Sequence, residues 1–108
     1  MLEPITVGAI DASFAPRCST HVYAVMLDGE AVLLDEAVNR LHLLNHTATL
    51  LWQLFDGEAT LTELAAELSE ELGAAPDVVL ADLLTIARHL GDEGLLDRVV
   101  PSTGDTDA

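Results

Sequence analysis

The chain has no lysine, one cysteine and no long apolar run, and each shortage removes a class of function. Its only cations besides histidine are Arg17, Arg40, Arg88 and Arg98, set against 19 acidic residues, for a formal charge of −15 over 108 residues. A nucleic-acid binder neutralises several phosphates with several cations on one face, because counterion release supplies most of the binding energy. A winged-helix DNA reader is rejected on the same ground, since the segment that would enter the groove offers Arg88 alone against Asp77, Asp82, Asp92 and Glu93. The lone Cys18 excludes an internal disulfide and a multi-cysteine metal site, and Cys18 with His21 supplies two ligands where a closed tetrahedral site needs four. No apolar run approaches the roughly 20 residues of a membrane span. The N-terminus lacks the basic segment and apolar block of a signal peptide. There is no Gly-rich phosphate loop, no His-Glu-x-x-His and no serine or cysteine nucleophile beside a base. The expectation is a soluble cytoplasmic chain that is not an enzyme, with no metal, no cofactor, no catalytic residue, and neither nucleic acid nor membrane as partner.

Half the residues are apolar, enough for one packed core at this length. Residues 1–20 carry Pro4 and Pro16 with no sustained period and read as an irregular arm. Residues 101–108, Pro-Ser-Thr-Gly-Asp-Thr-Asp-Ala, have nothing to bury and are expected to be disordered. The folded unit is placed at residues 21–97, with 98–108 as a polar tail.

Within that unit, residues 21–27 and 31–35 are valine- and leucine-rich and flank Asp28-Gly29-Glu30, a hairpin signal. A third strand over residues 40–44 completes an antiparallel meander, with Leu41 and Leu43 on one face and Arg40, His42 and Leu44 on the other. Asn45 is a natural N-cap for a helix running to Phe55, buried through Ala48, Leu51, Trp52 and Phe55 and widened by Leu50 and Leu54. Thr60-x-x-Glu63 has capping-box spacing and opens a second helix with Leu61, Leu64, Ala65, Leu68 and Leu72 on one face. Its other face carries Glu63, Glu67, Glu70 and Glu71, either a solvated surface or a dock for a basic protein. Pro76 starts a third helix reaching Leu90, whose apolar arc spans about 160° where a core-facing helix needs about 100°. The fold class is α+β: a three-stranded antiparallel β-meander followed by three helices, winged-helix-like in order.

A sheet with a free edge, backed by helices, suits capture of an extended peptide. The order Leu44-Asn45-x-Thr47-Ala48, then Trp52, Asp56-Gly57, a threonine-capped helix (Thr60, Leu64, Ala65, Leu68), a last helix with Val78, Asp82 and Leu90, and Gly94-Leu95-Leu96 resembles the PqqD family over residues 22–96. Those proteins are peptide chaperones, or RiPP recognition elements, in natural-product biosynthesis. They hold the leader of a ribosomally made precursor peptide for a modifying enzyme, commonly a radical S-adenosylmethionine enzyme and in other pathways a peptidase or cyclase. The resemblance implies a leader strand beside residues 40–44 and against the third helix. The expected peptide-binding residues are Arg40, Leu41, His42, Leu43 and Leu44 on the strand, with Leu80, Leu84, Ala87 and Arg88 on the helix. Val79, Leu83, Ile86 and Leu90 are left for the core. An acidic interaction subunit without peptide binding is compatible with the same residues.

Overall fold

The two ends of the described chain meet. In the computed structural model, which describes residues 4–100, a two-residue strand β1 (Ile5–Thr6) lies parallel to the last strand, β5 (Val99–Val100), with Ile5 opposite Val99. Between them run a 3₁₀ turn (Val7–Ala9), β2 (Val22–Leu27), β3 (Glu30–Asp35), β4 (Arg40–Leu43), α1 (His46–Trp52), α2 (Leu61–Leu72) and α3 (Pro76–Asp92). The expected meander is present, antiparallel in the order β2-β3-β4. Its hairpin closes on two residues, Asp28 at φ 52° and Gly29 at φ 82°. That left-handed pair twists with the flanking strands, as two-residue hairpin loops require. At the other end of β3 the buried Asp35 carboxylate accepts from the Ala37 amide at 3.0 Å and lies 3.3 Å from His21 Nε2, which anchors the turn into β4.

The helix starts follow their capping residues. The Asn45 side chain accepts from the Ala48 amide at 2.8 Å. Thr60 and Glu63 close the full capping box, at 3.1 and 2.8 Å, and Pro76 occupies the first turn of α3. α3 ends in a Schellman motif: Leu95 donates to the Leu90 carbonyl and Gly94, at φ 77°, to that of Gly91.

α1 stops at Trp52, three residues before the expected end. The amides of Leu54 and Phe55 fall back on carbonyls three residues earlier, a tightened last turn. Phe55 is therefore buried from the loop, not from the helix. Leu50, expected to widen the buried face of α1, is 51 % exposed, and Leu72 at the end of α2 is also exposed. Thr49 is the polar residue that α1 buries. Its hydroxyl accepts from the Ala31 amide at 2.8 Å and donates to the Leu44 carbonyl at 3.2 Å, joining α1 to the end of the β3–β4 ladder.

The N-terminal arm packs against the unit expected at residues 21–97. Ile10 is 1 % exposed and Pro16 is fully buried. Backbone bonds stitch the arm down: Leu61 and Thr62 donate to the carbonyls of Phe14 and Ala12, Gly57 to that of Pro16, and Asp97 to that of Arg17. The first two amides belong to the opening turn of α2, where a helix has no internal acceptors, so the arm completes that helix. At the other end, Val99 is buried in β5. The tail expected to be disordered, residues 101–108, lies outside the described residues.

Candidate functional site

β4 is an edge strand, and its register shows which backbone groups are unpaired. Leu44 donates to the Ala31 carbonyl at 2.9 Å, so Ala31 and Leu44 form a hydrogen-bonded pair. Such pairs alternate along an antiparallel ladder. With Leu33 opposite His42 and Asp35 opposite Arg40, the backbone groups of Arg40 and His42 face β3. Those of Leu41 and Leu43 face outward, and among the described residues no strand pairs with them. Leu41 and Leu43 thus present a short run of free N–H and C=O groups, with side chains 67 % and 80 % exposed.

The chain runs from β4 into α1, which packs on α3. A cavity of about 360 Å³ is lined by Asn45, Thr47, Ala48 and Leu51 on one side and by Asp82, Thr85, Ile86 and His89 on the other. Its floor is apolar and its rim polar. At the far end of β4, Glu93 on the C-cap of α3 lies 3.9 Å from the Arg40 guanidinium and 3.8 Å from His42 Nδ1. These pairs are long and partly exposed, so their contribution to stability is small. They place the Arg40 and His42 side chains of β4 beside the end of α3.

The strand residues expected at the site, Arg40, Leu41, His42, Leu43 and Leu44, line this edge. Their jobs differ: Leu41 and Leu43 offer backbone, while Leu44 is buried and the His42 side chain is 12 % exposed. The helix residues expected with them do not reach the cavity. Ala87 has no exposed surface and belongs to the core with Val79, Leu83, Ile86 and Leu90. Arg88 donates from its guanidinium to the Ile10 carbonyl at 3.0 Å, so its edge of α3 runs beneath the N-terminal arm. Leu84 and Leu80, four and eight residues earlier, continue the same edge and pack half-buried against the core. The edge beside the cavity is the opposite one, Asp82, Thr85, Ile86 and His89. The sequence signal for it was the polar spacing at positions 82, 85 and 89 along one flank of the apolar arc.

Two other features sit apart from this groove. The Cys18 thiol is half-buried beside Leu96, its bridge partner. Burial pushes it above the ordinary thiol range, while the Trp52 side chain and the Ser19 amide act in the opposite direction. A raised thiol pKa leaves less thiolate, the reactive form. Native Cys18 should therefore react with iodoacetamide severalfold more slowly at mildly alkaline pH than the same thiol in denaturant, and equal rates would show it to be unprotected. On the α2 side, the amides of Ala59 and Glu58 donate to Asp56 and hold its exposed carboxyl below the usual carboxylate range. Among the described residues no group of three or more His, Cys, Asp or Glu side chains is arranged to hold a metal ion, and no helix is long and apolar enough to cross a membrane.

A three-stranded meander with one free edge, followed by three helices, defines a small α+β domain of winged-helix-like order. The family described as coenzyme PQQ synthesis protein D (PqqD) matches residues 30–96, more than half of the chain. The chain belongs to the PqqD family. Solved structures share its fold. The PqqD truncation of Methylobacterium extorquens PqqCD, an NMR structure described as a functional, stand-alone RiPP recognition element, is 26% identical with a TM-score of 0.72. The match covers 85% of this chain and 98% of that one. TbiB1 in complex with the TbiA(beta) leader peptide has a TM-score of 0.67 at 22% identity, over 82% of this chain and 99% of that one. Lasso peptide synthetase B1 complexed with the leader peptide has a TM-score of 0.68 at 22% identity, over 77% and 98%. No curated protein matches the chain.

Proposed function

We propose that this protein binds the leader segment of a ribosomally synthesised precursor peptide as an added strand beside β4, and presents it to a modifying enzyme without performing chemistry itself. The observation that carries the reading is the unpaired outward backbone of Leu41 and Leu43 on the β4 edge, which runs in sequence into Asn45 and the cavity that residue helps to line. The likeness to chains solved with leader peptides supports it.

Magnitudes assign the roles. Ordering each peptide residue costs about 1 to 2 kcal/mol, while each new backbone hydrogen bond returns about 0.5 to 1.5 net. Strand addition alone therefore roughly breaks even and sets register. Burying two or three apolar leader side chains, at about 1.5 to 3 kcal/mol each, raises affinity to the micromolar range or better. Specificity then belongs to the cavity floor, Ala48, Leu51 and Ile86.

The test is calorimetric titration of the leader peptide of any short precursor frame found beside its gene into wild type and into two proline variants. Leu41→Pro removes an outward donor and should weaken binding about threefold to tenfold while leaving the melting temperature close to wild type. His42→Pro removes a donor to β3 and should destabilise the sheet instead. Unchanged affinity in folded Leu41→Pro, or no binding by wild type, would overturn the proposal.

A further inference from the structure

The register that frees the β4 edge also fixes which side chains share the face of the sheet turned away from the helices. Tyr23, Val25 and Leu27 on β2 lie opposite Leu34, Val32 and Glu30 on β3, and Leu34 and Val32 lie opposite Leu41 and Leu43 on β4. Opposed residues point to the same side. The outer face is therefore apolar at seven of eight positions, with Glu30 alone at the hairpin end. Tyr23, Val25, Leu27, Leu41 and Leu43 are 57% to 80% exposed. Together these five present on the order of 600 Å², at the upper limit of the largest apolar patch on an ordinary monomer.

We infer that this outer sheet face is a self-association surface, on which two copies of the chain pack sheet to sheet about a two-fold axis. A leader strand adds at the edge of the sheet and cannot cover a face three strands wide. A flat apolar face is complementary to another of the same kind, and two such sheets pack about 10 Å apart with their strands nearly aligned. Pairing the face with itself removes on the order of 1,200 Å² from water, the lower limit for a specific interface. The dimer is accordingly weak, with a micromolar dissociation constant. The charge of −15 per chain opposes it, but Glu30 alone stands on the contact face, at its hairpin end, and the acids of α2 and α3 lie on helices behind the sheet. At physiological salt the Debye length is about 8 Å, so most of that repulsion is screened. β4 keeps its outward backbone groups in this arrangement, so the dimer carries two open grooves.

Sedimentation velocity of the full chain, from about 1 to 300 µM, brackets the expected dissociation constant. A monomer–dimer equilibrium is expected, and it should strengthen as salt rises, the sign for an apolar contact between like-charged chains. Val25 is 57% exposed and two strands away from the β4 edge, so Val25→Glu should fold normally and raise the dissociation constant tenfold or more, while Val25→Ile should leave it near wild type. A monomer throughout the range at physiological salt, or a dimer that Val25→Glu leaves intact in folded protein, overturns the inference and assigns the face to another partner.

Discussion

Leu83→Glu should unfold the domain. Leu83 has no exposed surface and lies among Leu61, Leu64, Ala65 and Leu90 in the one buried cluster. A carboxylate there has no cation to meet and no route to water, and burying it costs several kcal/mol even if it takes up a proton. Domains of this size have about 5 to 15 kcal/mol in hand, so loss of cooperative melting by circular dichroism is the expected result. A cooperative transition near the wild-type temperature would show that Leu83 can reach solvent. Leu84→Glu is the control. Leu84 is half-buried on the edge of α3 away from the cavity, so this variant should lower the melting temperature modestly and leave leader affinity unchanged.

Thr49→Val should give the next largest effect, although the two side chains are nearly the same shape. The substitution removes the acceptor for the Ala31 amide and the donor to the Leu44 carbonyl, leaving two buried backbone groups unpaired. At about 1 to 3 kcal/mol each, the expected loss is about 2 to 6 kcal/mol, or roughly 10 to 30 °C in melting temperature. Thr49→Ser keeps the hydroxyl and should lose about 1 kcal/mol or less. Equal melting temperatures for Val and Ser would mean that the hydroxyl contributes through its volume alone.

The contrast between Leu83 and Leu84 also shows where the sequence was legible. Local signals were sufficient for Asp28-Gly29, Asn45, the Thr60–Glu63 box and Pro76, because a turn or a cap is decided by residues within four of one another. The end of α1 was not, since Phe55 continues the helical period of Leu51 and Trp52 yet is buried by a turn of the chain. The expected helix residues and the cavity fall on different edges of α3 for a connected reason. α3 has more apolar surface than one core face uses, and the surplus at Leu80, Leu84 and Ala87 was assigned to a ligand. In the structure that side of the helix leads to Arg88 and Gly91, and the arm closes over it: a methyl group at Gly91 would stand 2.9 Å from Val99 Cγ1 and 3.3 Å from Ile10 Cδ1. Residues 4–20 show no periodicity because, past the two residues of β1, their hydrogen bonds run to helix starts and loops. Once the arm is set aside as irregular, the surface it covers looks vacant. The alternation of donors along β4 was legible in principle, but only after the pairing of Leu44 with Ala31 was known. Without it His42 and Leu41 are equal candidates for the outward position.

The parallel pairing of β1 with β5 gives the fold a mechanical character. Tension applied at the two ends pulls β1 from its N-terminal side and β5 from its C-terminal side, and in a parallel pair these are opposite ends of the ladder. The strands must then slide past one another and break their bonds together, where an antiparallel pair loaded in the same way would unzip one bond at a time. Only two residues face two here, so the clasp is short. Its strength under load rests on the packing beneath it, where Val99, Ile10 and Val7 crowd the side chain that Gly91 does not have.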